Sequence, residues 1–380
     1  MAEAPGKVEI HRGLQGVHFD RSRVCFIDGR AGELLYRGYS IHDLATQSTF
    51  EETCYLLLYG ELPTRAQLAS CDAELKAART LPAGIVDIIR TVRDAHPMDV
   101  LRTAVSALAA FDSEVNDLSA AATARKGLRI TAQVPMIIAA HEAVRHGREP
   151  VPPDPELGHA ANFLYMVTGR SPSATAARLM DVDMILHAEH GSNASAFTAR
   201  VVAGTKANLH AAITAAIAAL SGPSHGGAAE NVIRMAQEIG DAARAADYVK
   251  AKRGNKEAVM GFGHRVYRAE DPRARHMRAG VEALSREMGD PRWYRILEAL
   301  VEAMKPYARH GVNVNVDFYA GVVYFLNGIA EDLFVPVFAA GRVPGWTVQV
   351  LEQLENNILI RPLTLYDGPA PRDYVPIDGR

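Results

Sequence analysis

Four histidines lie in three glycine-rich stretches. These are Leu186-His187-Ala188-Glu189-His190-Gly191-Ser192-Asn193, Gly222-Pro223-Ser224-His225-Gly226-Gly227 and Met260-Gly261-Phe262-Gly263-His264-Arg265-Val266-Tyr267. His225 precedes a helix expected through Asn231–Ile239. Free N–H groups at a helix start disfavour an imidazolium, and a neutral histidine donates a hydrogen bond to a carbonyl without first losing a proton. The two glycines after it would let a substrate approach the backbone. The same stretch satisfies G-x-S-x-G, with Ser224 as a hydrolase nucleophile. That motif needs a buried strand before it, and Leu209–Leu220 reads as a helix. His187 and His190 stand three apart at an expected helix end and can share a face. Their H-x-E-H spacing is not the H-E-x-x-H of a zinc site, so capping or packing competes with ligand contact. Gly261 and Gly263 do not complete G-x-G-x-x-G, because residue 266 is Val.

A carboxylate and three arginines complete the set. Asp317, in Asn313-Val314-Asn315-Val316-Asp317-Phe318-Tyr319, is either the cap of an apolar helix or a base whose pKa is raised by apolar neighbours. Arg273 and Arg275 follow Asp271-Pro272, in the first turn of an expected helix, where the dipole favours acids. An arginine there suits a carboxylate ligand; a surface arginine neutralised by Glu270 and Asp271 is the plainer account. Arg342, in Gly341-Arg342-Val343-Pro344-Gly345-Trp346, and Arg361, in Ile360-Arg361-Pro362, add two guanidiniums. With Arg273 they would suffice for a dianion.

The elements that must position these residues are mainly helical. Phe50–Tyr59 has helical spacing and stops at Gly60; Val100–Phe111, Leu128–Arg145 (interrupted by Pro135), a segment from Ser171-Pro172 to His190, Asn208–Leu220, a segment opened by Asp271-Pro272, Phe318–Ile329 and Trp346–Leu354 follow. Lys7–Ile10, Val24–Ile27 and Glu33–Tyr36 predict a small N-terminal β region, with Asp28-Gly29 and Ala31-Gly32 as turn chemistry. Strand and helix do not alternate, which argues against a doubly wound sheet. The 380 residues suit about two or three domains. Hydrophobic residues make up 48% and charged residues 22%, as in globular enzymes. A net charge of −3 supplies no basic field for nucleic acid. No apolar run approaches the ~18 residues of a membrane helix, and the N-terminus lacks the apolar core of a signal peptide. Cys25, Cys54 and Cys71 make no framework of disulfides and suit a reducing cytoplasm.

The stretches GPSHGGAAE, GFGHRVYRAEDPR, NVNVDFYAG and GRVPGW…IRP, in this order, resemble the citrate synthase family. So do Leu35-Tyr36-Arg37-Gly38-Tyr39, YLLLYGELPT from Tyr55 and HPMDVLRTAVSA from His96. The resemblance spans nearly the whole chain and is to the short, homodimeric form. It implies a mainly α, multi-helix, two-domain fold: a large domain of residues 1–225 plus 322–380 and a small domain of residues 226–321, with the site in the cleft. It implies that Asp317 deprotonates the methyl of acetyl-CoA, His225 hydrogen-bonds the thioester carbonyl and His264 protonates the carbonyl of oxaloacetate. His190, Arg273 and Arg342 match oxaloacetate ligands, Arg361 matches one delivered by the neighbouring subunit, and Phe262, Gly263 and Asn315 fall where coenzyme A contacts are expected. No metal or redox cofactor is implied, and no nucleic-acid or membrane partner.

The chain departs from the family's usual pattern at Ser224 (often Leu), Ala229 (often Asn) and Val348-Gln349 (often Ala-His). These positions bear on cleft shape and substrate preference. The expected reaction is condensation of acetyl-CoA with oxaloacetate and hydrolysis of citryl-CoA. The nearest alternative is the same reaction on propionyl-CoA, giving 2-methylcitrate; a serine hydrolase using Ser224 is a remote one. A non-catalytic scaffold is disfavoured by the joint presence of His225, His264 and Asp317.

Overall fold

The computed structural model describes residues 8–380. Among them the chain forms sixteen α-helices and one small sheet. The sheet is antiparallel, ordered β1 (Cys25–Asp28), β2 (Glu33–Tyr36), β3 (Tyr39–Ser40), with Cys25 opposite Tyr36 and Leu35 opposite Ser40. Its first turn is shaped by Asp28, whose Oδ1 accepts from the N–H groups of Arg30 and Ala31 at 2.8 and 2.9 Å. The β region expected near the N-terminus is therefore present. Of the expected Lys7–Ile10 strand, Lys7 lies outside the described residues, and Val8–Ile10 carry no strand.

The first helices are α1 (Ile41–Gln47), α2 (Phe50–Tyr59), α3 (Arg65–Ala77), α4 (Ala83–Thr91), α5 (Pro97–Leu108) and α6 (Ala120–Arg145). Next come α7 (His159–Thr168), α8 (Ala174–His187), α9 (Ala194–Gly204), α10 (Leu209–Leu220) and α11 (Ala228–Ile239). The last are α12 (Ala245–Gly254), α13 (Ala274–Glu287), α14 (Arg292–Ala308), α15 (Asp317–Leu326) and α16 (Phe334–Glu355). Starts follow capping chemistry: Ser40, Thr49, Thr64, Ser119, Ser173, Asn193 and Asn208 each accept a hydrogen bond from the first turn that follows.

Helices α6 and α16 are buried nearly all round and pack on one another, as helices do when they form a core rather than cover one. Several boundaries differ from expectation. Pro135 does not interrupt α6, and Gly341, Pro344 and Gly345 do not break α16, which is one helix from Phe334 to Glu355. In both, burial on all sides outweighs the hydrogen bond that proline removes. Helix α8 starts after Ser173 and ends at His187 rather than His190. Around α15, helices α11 and α13 pack closely, α14 more lightly, and α12 packs on α14. No described helix is long and apolar enough to cross a membrane.

Candidate active site

Four loops meet at the ends of these helices. The first, between α8 and α9, carries Glu189 and His190. Tyr36 of β2 clamps it: the Tyr36 hydroxyl sits 2.8 Å from the Glu189 carbonyl and 3.2 Å from the Glu189 N–H. The second runs from Gly261 to Arg273, and the third from Asn313 to Val316. A β-bridge between Phe262 and Val314 joins these two, as do bonds from Gly263 N to Asn313 O (2.7 Å) and Asn315 N to Gly261 O (3.0 Å). The turn between β1 and β2 holds the second loop from outside, with Gly29 O accepting from Arg268 N at 2.7 Å. The small sheet thus helps to fix two of these loops. The fourth loop, between α10 and α11, carries His225.

The chain folds so that each histidine presents a defined nitrogen. His264 Nδ1 accepts from the N–H groups of Val266 (3.0 Å) and Tyr267 (3.2 Å). Backbone donors cannot turn round, so the proton sits on Nε2. Burial and then the charge of Arg273 push His264 down to about 4, so it is neutral at pH 7 with Nε2–H to give. His225 is the mirror case. Its Nε2 faces the Ser195 N–H at 3.3 Å and the Ser195 Oγ at 3.0 Å, which leaves the proton on Nδ1. Ser195 itself is held by Trp346 Nε1 on α16 (3.0 Å) and by Asn193 Oδ1 (2.8 Å). His225 is also pushed down to about 4, by burial first and Arg342 second. The expected neutrality is present, but burial causes it rather than the helix start. The expected use of both glycines is corrected as well. A Cβ on Gly226 would lie 2.4 Å from the Leu220 carbonyl, so that clearance is taken by the fold, whereas one on Gly227 would meet only ordinary contacts at 3.8 Å and beyond.

His190 Nε2 lies 3.1 Å from the Tyr267 hydroxyl, and its ring meets the His264 ring edge-on at 5.3 Å. Burial, with Arg273 and His264 adding to it, holds His190 well below the usual histidine range. His187 does not share a helix face with it. His187 is the last residue of α8, buried against Phe338, with Nδ1 on the Asp183 carbonyl at 2.9 Å.

Arg273 is not a surface residue. It is 3% exposed and precedes α13 rather than lying in its first turn. Its Nε and Nη2 donate to Asp271 Oδ1 and Oδ2 at 2.9 and 2.7 Å, and its own N–H donates to Oδ1 at 3.1 Å. Asp271 is fully buried, and its Oδ2 also accepts from Val316 N at 3.3 Å. One carboxylate thereby ties Arg273 to the start of α15. Burial pulls the pKa of Arg273 down, but Asp271 outweighs it and raises the net value. Asp317 is the first residue of α15 and caps nothing, since the helix start shows no side-chain cap. Burial raises its pKa, against smaller opposing effects of His187 and Arg273. Arg342 is 1% exposed, donates through Nε to the His187 carbonyl and lies over the Phe338 ring at 4.6 Å. Burial lowers it to about 10, with Glu189 opposing.

Phe262 packs edge-on against Phe318 at 4.8 Å. Gly263 has φ +89°, in the left-handed region, and a Cβ there would meet nothing within 4 Å, so this backbone faces open space. Asn315 spends its amide on the Gly263 carbonyl at 2.9 Å, leaving a buried Oδ1 without a partner. Arg361 stands apart from all of these, exposed in the segment after α16, which has no regular structure from Asn356 to Pro376. Ser224 lies exposed in a turn, and the element before it is helix α10, so the nucleophile elbow is not formed. Among the described residues no group of three or more His, Cys, Asp or Glu is placed to hold a metal ion. Sequence reasoning missed Tyr36, Ser195 and Trp346 as supports and saw Asp271 only as a neutralising charge. Tyr36 and Trp346 lie in stretches that carry the resemblance, but nothing in the local pattern of any of the four shows the contacts that they make.

A mainly helical chain that gathers neutral histidines, a desolvated carboxylate and two buried arginines at its loop junctions has the equipment of an acid–base condensing enzyme. Residues 13–363 match the family described as citrate synthase, C-terminal domain, and the chain belongs to the citrate synthase family. It is 43% identical to a citrate synthase of Haloferax volcanii over 98% of this chain and 99% of the other. It is 40% identical to 2-methylcitrate synthase 1 of Corynebacterium glutamicum, over 98% and 99%. The fold is similar to that of citrate synthase from Thermoplasma acidophilum, solved in a ternary complex with carboxymethyl coenzyme A and oxaloacetate. That match has a TM-score of 0.91 and 32% identity, over 98% of this chain and 100% of the other. The chain is thus an acyltransferase-type condensing enzyme.

Proposed function

We propose that the chain condenses acetyl-CoA with oxaloacetate through Asp317, His225 and His264, and hydrolyses the citryl-CoA formed. Asp317 removes a proton from the acetyl methyl. His225 donates a hydrogen bond from Nδ1–H to the thioester oxygen as it takes on enolate charge and keeps that proton, and His264 gives its Nε2–H to the ketone oxygen of oxaloacetate as the new carbon–carbon bond forms and the thioester carbonyl is restored. A thioester methyl is too weak an acid for a carboxylate alone. Each placed acid or base adds about 10²–10⁴-fold, and a donor at the developing oxyanion adds about 10²–10³-fold. His190, Arg273 and Arg342 hold oxaloacetate. Phe262, Gly263 and Asn315 border the coenzyme A path, with Gly263 the open stretch of backbone. The chemistry as written uses no metal or redox cofactor; coenzyme A enters as substrate. The observation that carries the reading is the opposed tautomers: two neutral histidines whose donor nitrogens are set by backbone N–H groups.

The small domain in this reading is residues 226–321, closing on residues 1–225 plus 322–380 to exclude water. Arg361 completes the site of a neighbouring subunit in a homodimer. Its exposure supports this, as does the exposure of Ile358 (69%), Leu363 (86%) and Tyr374 (81%) around it. Three free thiols, Cys25, Cys54 and Cys71, suit a cytoplasmic protein. A second reading, 2-methylcitrate formation from propionyl-CoA, is favoured by the Corynebacterium glutamicum relative. One methylene is worth only about 1–3 kcal/mol of discrimination. The test is release of free thiol with oxaloacetate and either acyl-CoA. Higher kcat/KM with acetyl-CoA supports the first reading, higher kcat/KM with propionyl-CoA supports the second, and no thiol release with either refutes both.

A further inference from the structure

The two buried arginines of the cleft are matched by two buried acids, held in different ways. Asp271 meets Arg273 through two side-chain bonds, and its pKa is lowered. Glu189, just before His190 in the chain, is fully buried and makes no ion pair. Its Oε1 accepts from Gln349 Nε2 at 2.8 Å, while Oε2 is buried without a partner. The Gln349 amide is oriented by its other end, where Oε1 accepts from Arg200 Nη1 at 3.1 Å. Oε2 has room because residue 345, three positions after Arg342 on α16, is glycine; a Cβ there would lie 2.6 Å from Oε2 and 2.0 Å from the Ala188 carbonyl. Gln349 is an amide, so the donor beside Glu189 is neutral at every pH and does not titrate.

The groups that face Glu189 define its charge. From α16 these are Arg342, which favours the carboxylate, and Glu352, which opposes it. From β1, Cys25 lies close, with its own thiol pushed up by burial, so it stays protonated. From β2, Tyr36 is spent on the Glu189 backbone, and Arg37 beyond it adds weak support. On the same loop the Gly191 N–H favours the carboxylate. Burial dominates these and pushes Glu189 up to about 7. His190, held well below the usual range, and His264, near about 4, remain neutral over the same pH interval.

We propose that Glu189 is a proton-linked positioning residue of the oxaloacetate pocket, taking up one proton as the dianion binds so that Arg342 faces the ligand unopposed. The inference rests on the assignment of Arg342 and His190 to oxaloacetate. In the empty site with Glu189 ionised, Glu189 and Asp271 offset the two arginines, and the Asp317 carboxylate beside Arg273 adds a further negative charge. A dianion entering this buried site meets the Glu189 carboxylate as a competitor for Arg342. Protonation of Glu189 from solvent removes that charge, whereas Asp271 cannot respond because Arg273 grips both of its oxygens. Binding therefore weakens as pH rises above about 7, approaching a tenfold loss of affinity per pH unit, while kcat is unaffected.

The experiment is calorimetric titration of the enzyme with oxaloacetate at pH 7.5 in phosphate and in Tris, whose different ionisation heats report the protons exchanged. A group titrating at about 7 is about three-quarters ionised at pH 7.5, so the wild-type site takes up about three-quarters of a proton. Glu189→Gln takes up none, and its KM for oxaloacetate no longer rises with pH. Gln349→Leu removes the amide donor and moves the uptake midpoint to higher pH. Equal uptake in wild type and Glu189→Gln overturns the proposal. If Glu189→Gln fails to fold by circular dichroism, the wild-type profile decides: an uptake midpoint outside pH 6–8 overturns it. If wild type shows no oxaloacetate heat at any pH, the pocket assignment itself is wrong and this inference falls with it.

Discussion

Asp271→Asn separates what holds the cleft together from what performs the chemistry. The substitution keeps the shape of the side chain and removes one acceptor and the charge. Asp271 Oδ1 serves the Arg273 N–H and Nε, and Oδ2 serves Arg273 Nη2 and Val316 N. An asparagine satisfies one pair and turns an NH₂ group toward the other, setting donor against donor. Arg273, 3% exposed, is left as a buried charge with half its fork unpaired. Breaking a buried pair in this way costs about 3–5 kcal/mol. The second consequence is positional. Val316 N belongs to the turn that starts α15, and the next residue is Asp317, so the proposed base loses its tether together with the proposed ligand arginine. A displacement of about 1 Å at a reacting group costs about 10²-fold in rate. The assay is urea unfolding followed by circular dichroism at pH 7, with steady-state thiol release on the folded variant. Stability is expected to fall by about 3 kcal/mol or more and kcat/KM for oxaloacetate by at least about 10²-fold. A stability loss below about 1 kcal/mol, or an unchanged kcat/KM, would refute the view that this carboxylate joins the two.

Asp317→Asn should lower kcat by about 10²–10⁴-fold yet leave stability equal or slightly higher in urea, because burial opposes the ionised carboxylate; an active or strongly destabilised variant contradicts the assignment. Mixing inactive Arg361→Ala with inactive Asp317→Asn subunits through a denature–refold step should restore activity, since one site of the mixed dimer then holds both defects and the other neither; no recovery after verified heterodimer formation rejects a cross-subunit Arg361. Acid should destabilise the fold through His210 and His159, which burial lowers to about 4 and about 3. Below pH about 6.5 the unfolded chain gains protons that the folded chain refuses, so stability falls as pH drops from about 6.5 toward 4, by about 3 kcal/mol for His210 alone; His210→Leu should flatten that slope in urea titrations at pH 7, 5.5 and 4.5, and an unchanged slope would exclude His210.

The legible parts of the fold were those with local punctuation. Helix α2 can be read to the residue because Thr49 caps it and Gly60 ends it at φ +94°; Asn208 does the same for the start of α10. Helix α16 cannot, because proline and two glycines look like breaks when read locally, and only its burial shows why the helix continues. The site divides in the same way. His190, His225, His264, Asp317 and Arg273 stand in short clusters of unusual composition, and folding brings these clusters together. Their supports do not announce themselves. Tyr36 lies more than 150 positions from the loop it clamps, and Ser195 looks like any first-turn serine until His225 arrives beside it. Long-range partners of ordinary type leave no local trace, and the same holds for the cause of a pKa, since burial is a property of the folded chain.

The exposed stretch after α16 has a kinetic meaning. From Arg361 onward the chain leaves the packing of its own helices, with Leu363, Tyr366 and Ile377 86%, 75% and 71% exposed. A subunit can therefore complete its helices and its hydrophobic interior while this stretch has nowhere to settle. If Arg361 serves a neighbour's cleft, refolding has two clocks: a fast one for the body, independent of dilution, and a slower one for encounter, which scales with protein concentration. Ellipticity would recover first and turnover later. The interval between them would lengthen as the refolding mixture is diluted.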